Sequence, residues 1–538
     1  MALNLDTFLR SRFLSVGRLP LMRKSTLHDF DNGSYLKLRC HVQDRPLVCT
    51  DVPPMTISTT DMNTATDTDS DTDTKEPLYM DTFSDYLDID PEEMTEEELF
   101  RLLKDGKVDE IESIGCPEGT VIESVERRRM LLVSVALQKL ILAMATPGVG
   151  NDLKMMNLLA QSTDIPRLVF DYFTGKLVLP DPNSRDFKSP FAFFDTRVEL
   201  DNNIKPGDSR YYAHLSIMAA KLAYENEARI RSIVRGIWDM EFIGFYDCWE
   251  DFQEAFCTQA FMMSDKPVES GDVELVVVAF RGTNDAYDAC TDIDFSWYEI
   301  PGMGKVHGGF MKALGLQKEG WPKHVEQEPQ APSAYYTIRE KLRDILGKNK
   351  KARFLVTGHS LGGALSAIFP MILKYHGEEA ILDRLEGVYT FGQPRVGDEK
   401  LGRFAERLLD GPRRRYFRFV YGNDLVPRVP FDDNTFLFRH FGKCLYYDSL
   451  YRGRELDKVP NHNYFSNEHF MHMYLNAAWE LVRSFGIGYV RGPEYEESPM
   501  MRMMRAMGLM IPGMPCHSPQ DYNNVTRLGT VTWSASDK

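Results

Sequence analysis

Residues 354–366 read FLVTGHSLGGALS, and the fold follows from how this stretch is parsed. Phe354–Thr357 is short and apolar, as a buried strand should be. Gly362, Gly363 and Ala364 are small and open a helical run that reaches Tyr375, with Pro370 as a place for a kink or break. Between strand and helix, Gly358-His359-Ser360-Leu361-Gly362 fits G-x-S-x-G, a sharp turn that lifts a serine above the edge of a sheet. A side chain at Gly358 or Gly362 would crowd the backbone of such a turn. The pattern alone is common; the strand before it and the helix after it give it weight. The turn also aims the N-terminus of the following helix, with its free N–H groups, at the serine.

Outward from this turn the chain alternates strands and helices from about residue 209. Residues 212–224 read as a helix, 275–280 (LVVVAF) as a strand buried on both faces, and 336–346 as a helix. After the 361–375 helix come a strand at 388–391, a helix at 401–409 and a strand at 416–420. Alternation of this kind predicts an α/β class: a mostly parallel sheet with helices on both faces. With the serine elbow in it, residues 206–530 are expected to form an α/β-hydrolase fold.

A serine hydroxyl needs a base to take its proton, and the oxyanion that forms needs donors. One donor is the backbone N–H of Leu361, directly after the serine. The second belongs on a loop after an earlier strand, where Arg281-Gly282-Thr283 follows LVVVAF; Thr283 N–H is the candidate. In this fold the acid follows the serine and the histidine comes last. Asp424 lies just past the strand FRFVY and leads as the acid, while Asp398, in GQPRVGDE, reads as a surface loop residue. The histidine is open between His517, in the loop IPGMPCHSPQ, and His469 or His472 in the helical run EHFMHMYLNAAWELV; His440 and His462 read as structural or surface residues.

Composition bounds the rest. The chain has 538 residues and a net charge of −16, but residues 51–100 hold ten Asp and six Glu against one Lys. The acidity belongs to a tail, and no basic face suggests a nucleic-acid partner. The eight cysteines are scattered with no CxxC pair, as in a reducing compartment. Residues 1–90 are expected to be a largely disordered N-terminal extension, with the Thr/Asp-rich tract 56–76 too polar to fold. Within it, residues 1–24 place Leu5, Phe8, Leu9 and Phe13 among arginines, which fits a transit peptide, a membrane-surface helix or an ordinary terminal helix. Residues 91–205 are expected to be a helical region, starting at PEEMTEEELF. It contains Arg127-Arg128-Arg129 followed by MLLVSVALQKLILAMA, 130–145. Sixteen helical residues cover about 24 Å against a bilayer core of about 30 Å. The segment 127–150 therefore fits an amphipathic lipid-surface helix or a hairpin continuing into LKMMNLLA; a buried core helix is the alternative. Residues 531–538 form a C-terminal tail. The sequons at Asn32 and Asn524 are read as chance matches.

Taken in order, FRGT, VHGGF (306–310), GHSLGGAL, TFGQPRVGD and NDLVPRVP resemble the class 3, fungal-type triacylglycerol lipases. DTRVELD (195–201), MAAKLAYENEA, FQEAFCTQAF, LYYDSLY, WELVRSFGIGYVRGPEY and HSPQDYNNVTRLG narrow the resemblance to the plant oil-body lipases, over roughly residues 95–530. The resemblance puts the nucleophile on Ser360, the acid on Asp424, the histidine on His517 in HSP-x-x-Tyr, and the oxyanion residue on Thr283. It implies no metal or cofactor. It implies a short lid after FRGT, at about 284–297, with Tyr287, Ile293, Phe295 and Trp297 on its apolar side; a fixed surface loop is the other reading. The expected function is hydrolysis of triacylglycerol and diacylglycerol at the cytosolic surface of lipid droplets, with the endoplasmic reticulum membrane and a plastid as other locations. Three alternatives stand beside it: a phospholipase A1 or galactolipase, a soluble small-ester esterase, and a catalytically inactive droplet scaffold. Oligomeric state is left open.

Overall fold

A computed structural model describes residues 85–145, scattered positions between 161 and 176, and 178–530 apart from 252, 254, 284–291, 293, 317–329, 412–414, 431, 433–436 and 465–467. The expectations for residues 1–24 and 56–76, for LKMMNLLA and for Tyr287 and Ile293 lie outside these residues. The centre is an eight-stranded sheet: β1 (Glu241–Glu250), β2 (Ala255–Ser264), β3 (Leu275–Phe280), β4 (Arg353–His359), β5 (Leu385–Phe391), β6 (Tyr416–Tyr421), β7 (Cys444–Tyr447) and β8 (Gly453–Leu456). Spatial order follows chain order. The five strands β3 to β7 run parallel, and antiparallel strands finish both edges.

The apolar runs are buried on both faces, and their alternation divides the core in two. Val276, Val278 and Phe280 of β3 join Phe354 and Val356 of β4 under one helical layer that includes α2 (Leu361–Tyr375). Leu275, Val277, Ala279 and Leu355 point to the other layer, which holds α1 (Tyr211–Leu222). That side also carries α3 (Phe470–Arg491), α4 (Pro499–Met507) and α5 (Pro519–Leu528). The α2 helix runs unbroken to Tyr375 with Pro370 inside it.

The expected α/β-hydrolase fold is present. The strands β1, β2, β7 and β8 were not among those read from the sequence. Of these, β1 and β8 are the edge strands, and most of their positions are half-exposed or exposed.

A second, four-stranded sheet joins the N-terminal region to the segment after β3. Asp85–Ile89 lies between Ile114–Gly115 and Trp297–Ile300, which pairs in turn with Gly304–His307. The strand Asp85–Ile89 thus lies inside the stretch expected to be a tail. The helix Glu96–Lys104 starts at a Thr95/Glu98 capping box, where the polar run suggested a start. The long helix Val125–Ala145 lays Leu131 and Val135 into a small core with Leu87, Ile89 and Leu102. Arg128 is buried there, and the Arg127 guanidinium sits 5.6 Å from the Trp297 ring centre. Over residues 125–138 this helix thus takes the core-helix alternative, because positions 128, 131, 135 and 138 share one face. Among the described residues, no helix is long and apolar enough to cross a membrane.

Candidate active site

The elbow holds Ser360 in a conformation that L-residues rarely adopt, with φ at 58° and ψ at −130°. Such strain persists only where the surroundings over-determine it. Two glycines do so here. A Cβ on Gly358 would stand 2.1 Å from the Gly362 carbonyl carbon and oxygen, and one on Gly362 would stand 2.3 Å from the Phe280 carbonyl oxygen. The Ser360 N–H is tied to the Phe391 carbonyl at 2.9 Å. The serine is thereby pinned between β3 and β5, above the end of β4.

Three side chains then line up. His517 Nε2 lies 2.8 Å from Ser360 Oγ, and His517 Nδ1 lies 2.8 Å from Asp424 Oδ2 and 3.1 Å from Oδ1. Asp424 follows β6 and is fully buried. Its charge is matched by donors: Val426 N–H reaches Oδ1 at 2.9 Å, and the Tyr522 hydroxyl donates to Oδ2. Burial first, and the neighbouring carboxylate second, push the Tyr522 phenol well above its ordinary pKa, so it stays a donor. Gly392 makes room for the pair: a Cβ there would fall 2.9 Å from the His517 ring and 3.0 Å from Asp424 Oδ2.

The loop carrying His517 is held from two sides. His359, fully buried inside the elbow, lies 2.9 Å from the His517 carbonyl through Nε2 and 2.9 Å from the Tyr224 hydroxyl through Nδ1. A carbonyl only accepts, so Nε2 carries the proton and Nδ1 accepts from the tyrosine. Burial holds His359 well below its usual pKa, with His517 adding to the effect; it remains neutral. Behind the loop, buried Arg505 bridges Glu480 at 3.0 Å, Glu497 at 3.0 Å and Asp521 at 2.8 Å, tying α3, α4 and α5 together.

Leu361 is the first residue of α2, so its N–H has no acceptor within the helix. The 280–282 backbone lies against the elbow: a Cβ on Gly282 would stand 2.5 Å from the His359 carbonyl oxygen. Thr283 comes next, and its hydroxyl donates to Asp292. Both proposed oxyanion residues are therefore carried by segments that abut at the serine.

Other sequence candidates lie apart from this line. His472 is exposed on α3, and His469 immediately precedes that helix. His440 is half-buried and contacts the Pro427 carbonyl at 2.7 Å, and Asp398 caps the helix Glu399–Leu409. Phe295 and Trp297 pack on the small N-terminal core, Trp297 within its sheet, so they do not form a lid face. Asn524 is fully buried and bonded to Tyr451 and Arg197, which rules it out as a glycan acceptor in this fold. Roles for Tyr522, His359, Tyr224 and Gly392 were not read from the sequence. Tyr522 and Gly392 stand inside motifs quoted above, but nothing local says what they touch.

A cavity of about 360 Å³ opens beside His517. Its wall is almost wholly apolar and includes Phe191, Phe194, Leu425, Val426, Met504 and Met514. It has the size and character of a site for hydrocarbon.

Comparison with known proteins shows what the chain is similar to. The family described as lipase (class 3) matches residues 277–434. Triacylglycerol lipase OBL1 of Nicotiana tabacum is 39% identical over 485 residues, covering 76% of this chain and 84% of that protein. Triacylglycerol lipase OBL1 of Arabidopsis thaliana is 37% identical over 497 residues, covering 83% of this chain and 95% of that one. Among solved structures, a lipase from Rhizopus microsporus var. chinensis is 22% identical, covering 46% of this chain and 82% of that chain at a TM-score of 0.33.

Proposed function

This chain belongs to the class 3 lipase family, and we propose that it hydrolyses the carboxylic esters of triacylglycerol, with Ser360, His517 and Asp424 as its catalytic triad. The observation that carries the reading is the hydrogen-bonded line from Ser360 Oγ through His517 to buried Asp424, ending beside an apolar cavity. His517 Nε2 takes the Ser360 proton as Oγ attacks the ester carbonyl. Asp424 keeps the His517 proton on Nδ1 and steadies the imidazolium that forms. The N–H groups of Leu361 and Thr283 receive the oxyanion; one such donor is worth about 3–4 kcal/mol in the transition state. His517 then gives its proton to the departing glycerol oxygen, leaving an acyl group on Ser360. Water, deprotonated by the same histidine, releases the fatty acid and restores the serine.

The apolar cavity supports a long acyl chain over a small ester. The proposed location is the cytosolic side of a lipid droplet, as the resemblance to plant oil-body lipases implies. The proposed domain division is an N-terminal extension, a helical region and a lipase domain over residues 206–530. The test is hydrolysis of emulsified triolein beside phosphatidylcholine and a soluble short-chain ester, with Ser360→Ala as the blank. Faster release from phosphatidylcholine than from triolein would overturn the substrate assignment.

A further inference from the structure

Helix α3 is built inside out. A surface helix ordinarily turns apolar residues inward and charges outward. Here the buried face carries Glu480, Arg483 and Ser484 beside Met473, Ala477 and Ile487. The outward face carries Met471, Leu475, Trp479, Val482, Phe485 and Tyr489, which are between 45% and 94% exposed. These six positions make five steps in eighteen residues, a period of 3.6, so they form one straight stripe. In a chain of net charge −16, the helix has a single acid, Glu480, and it is buried. Charged or titratable groups beside the stripe include His472, Arg491, Arg502 and Glu496; the Arg502 guanidinium lies 5.2 Å from the Phe485 ring centre and 3.1 Å from the Glu496 carboxylate.

The stripe continues onto the neighbouring segment. Arg502 Nε donates to the Ser484 carbonyl at 3.4 Å, setting α4 alongside α3. Met503, Met507 and Met510 are exposed on and just after α4. Ile511 and Met514 are likewise exposed, and both also line the cavity that contains His517. Exposed apolar residues thus occur on the outer face of α3, on the α4 segment beside it, and at the mouth of the candidate substrate site, with the Arg502–Glu496 ion pair at the junction of the two helices.

We propose that the outer face of α3, with the 503–514 segment, docks the protein onto a phospholipid monolayer over an acylglycerol core. The proposal rests on the substrate reading above and adds the surface that meets the lipid. The exposed Ile511 and Met514 at the cavity mouth decide the occupant: a second protein seated here would cover the mouth, whereas a lipid phase supplies substrate to it. The residue chemistry agrees. Trp479 and Tyr489 are rings of the kind found at lipid–water boundaries, and methionines adapt to a fluid surface. No exposed acid on the helix itself opposes phosphate head groups, and Arg491 can meet them, while Arg502 is paired with Glu496.

The test uses the full chain and triolein droplets coated with phosphatidylcholine, scored by flotation. Leu475→Glu/Val482→Glu/Phe485→Glu should cut the floating fraction at least tenfold while turnover of a soluble short-chain ester stays within twofold. Leu475→Ser/Tyr489→Ser is the milder companion; should the triple variant lose soluble turnover through misfolding, the companion's flotation decides. Unchanged flotation would overturn the proposal. So would a wild-type dimer that these substitutions dissociate while droplet binding persists, since a second copy would then be the occupant. Wild-type protein that floats but releases no fatty acid from triolein would sink the substrate reading and leave the docking surface standing.

Discussion

Replacing Asp424 by asparagine changes one atom, and the structure specifies how the amide must sit. Val426 N–H donates to Oδ1 at 2.9 Å, and a backbone N–H cannot turn round. The amide oxygen is therefore held at the Oδ1 position and the NH₂ at Oδ2, 2.8 Å from His517 Nδ1. A hydroxyl can rotate, so Tyr522 accommodates the change by accepting. His517 accommodates it by moving its proton to Nε2, where it faces Ser360 and blocks the base. To recover the working tautomer, two donors must face each other in a buried site. Leaving two buried donors unsatisfied costs about 1–3 kcal/mol each, or roughly 4 kcal/mol together. At about 1.36 kcal/mol per tenfold, kcat should fall about a thousandfold. The 3.1 Å contact from Nδ1 to Oδ1 does not rescue it, because the NH₂ still stands closer to the same proton. The assay is kcat on a soluble short-chain ester, which needs no lipid surface, with a melting curve to show that the fold is intact. Tyr522→Phe is the contrast: the carboxylate survives with its other donors, and the loss should be about tenfold. An Asp424→Asn enzyme retaining a tenth of wild-type kcat, or Tyr522→Phe proving the more severe, would refute this reasoning.

Ser360→Ala should remove on the order of 10⁶ in kcat with folding intact, and His517→Ala should match it, since nucleophile and base act as a unit. His472→Ala, on the exposed face of α3, should leave soluble-ester turnover within twofold in the same assay. Gly358→Ala should fail to give soluble protein, because its Cβ would lie 2.1 Å from the Gly362 backbone. His307 is fully buried against Phe310, and neither ring nitrogen finds a hydrogen-bond partner among the described residues. Burial pushes its pKa down to about 4 from 6.5, so the unfolded chain binds this proton before the folded chain does. Stability is therefore complete above pH 6.5 and is lost as pH falls toward 4, by about 3 kcal/mol from this ring alone. His307→Phe should flatten the fall in melting temperature between pH 7 and pH 4.5.

What the sequence made readable was local. The strand FLVT, the glycines of the elbow and the small-residue helix start are neighbours in the chain, and each constrains the next. Asp424 was found because it directly follows an apolar strand. The histidine was not separable from its rivals by such signals, since Asp424 and His517 are 93 positions apart and only folding brings them together. The same holds for His359 against Tyr224 and for Gly392 beneath the triad, where long-range packing gives the residue its task. The 127–145 run misled in a different way. Apolar periodicity reports a face to be covered and does not say by what; over the described part, the covering comes from the helix Glu96–Lys104 and the small core it shares with the strand at 85–89. The run EHFMHMYLNAAWELV is helical as read, but its orientation was not legible. There the apolar face points out and the charges point in, and composition alone does not reveal which way a helix is turned.

The strand Asp85–Ile89 has a consequence for where this protein can be cut. It supplies the hydrogen-bonding partner for Trp297–Ile300, with Asp85 opposite Glu299, and its Asp88 carboxylate reaches buried Lys312 Nζ at 2.6 Å. A fragment trimmed to begin near residue 206 would keep the serine elbow, the acid and the histidine. It would also expose one edge of a strand next to an apolar surface, an invitation to self-association. Lys312 would be left with Asp294 as its remaining carboxylate in a site that excludes water. Excision at the obvious modular boundary should therefore yield inclusion bodies, whereas a truncation that starts ahead of Asp85 keeps the seam closed.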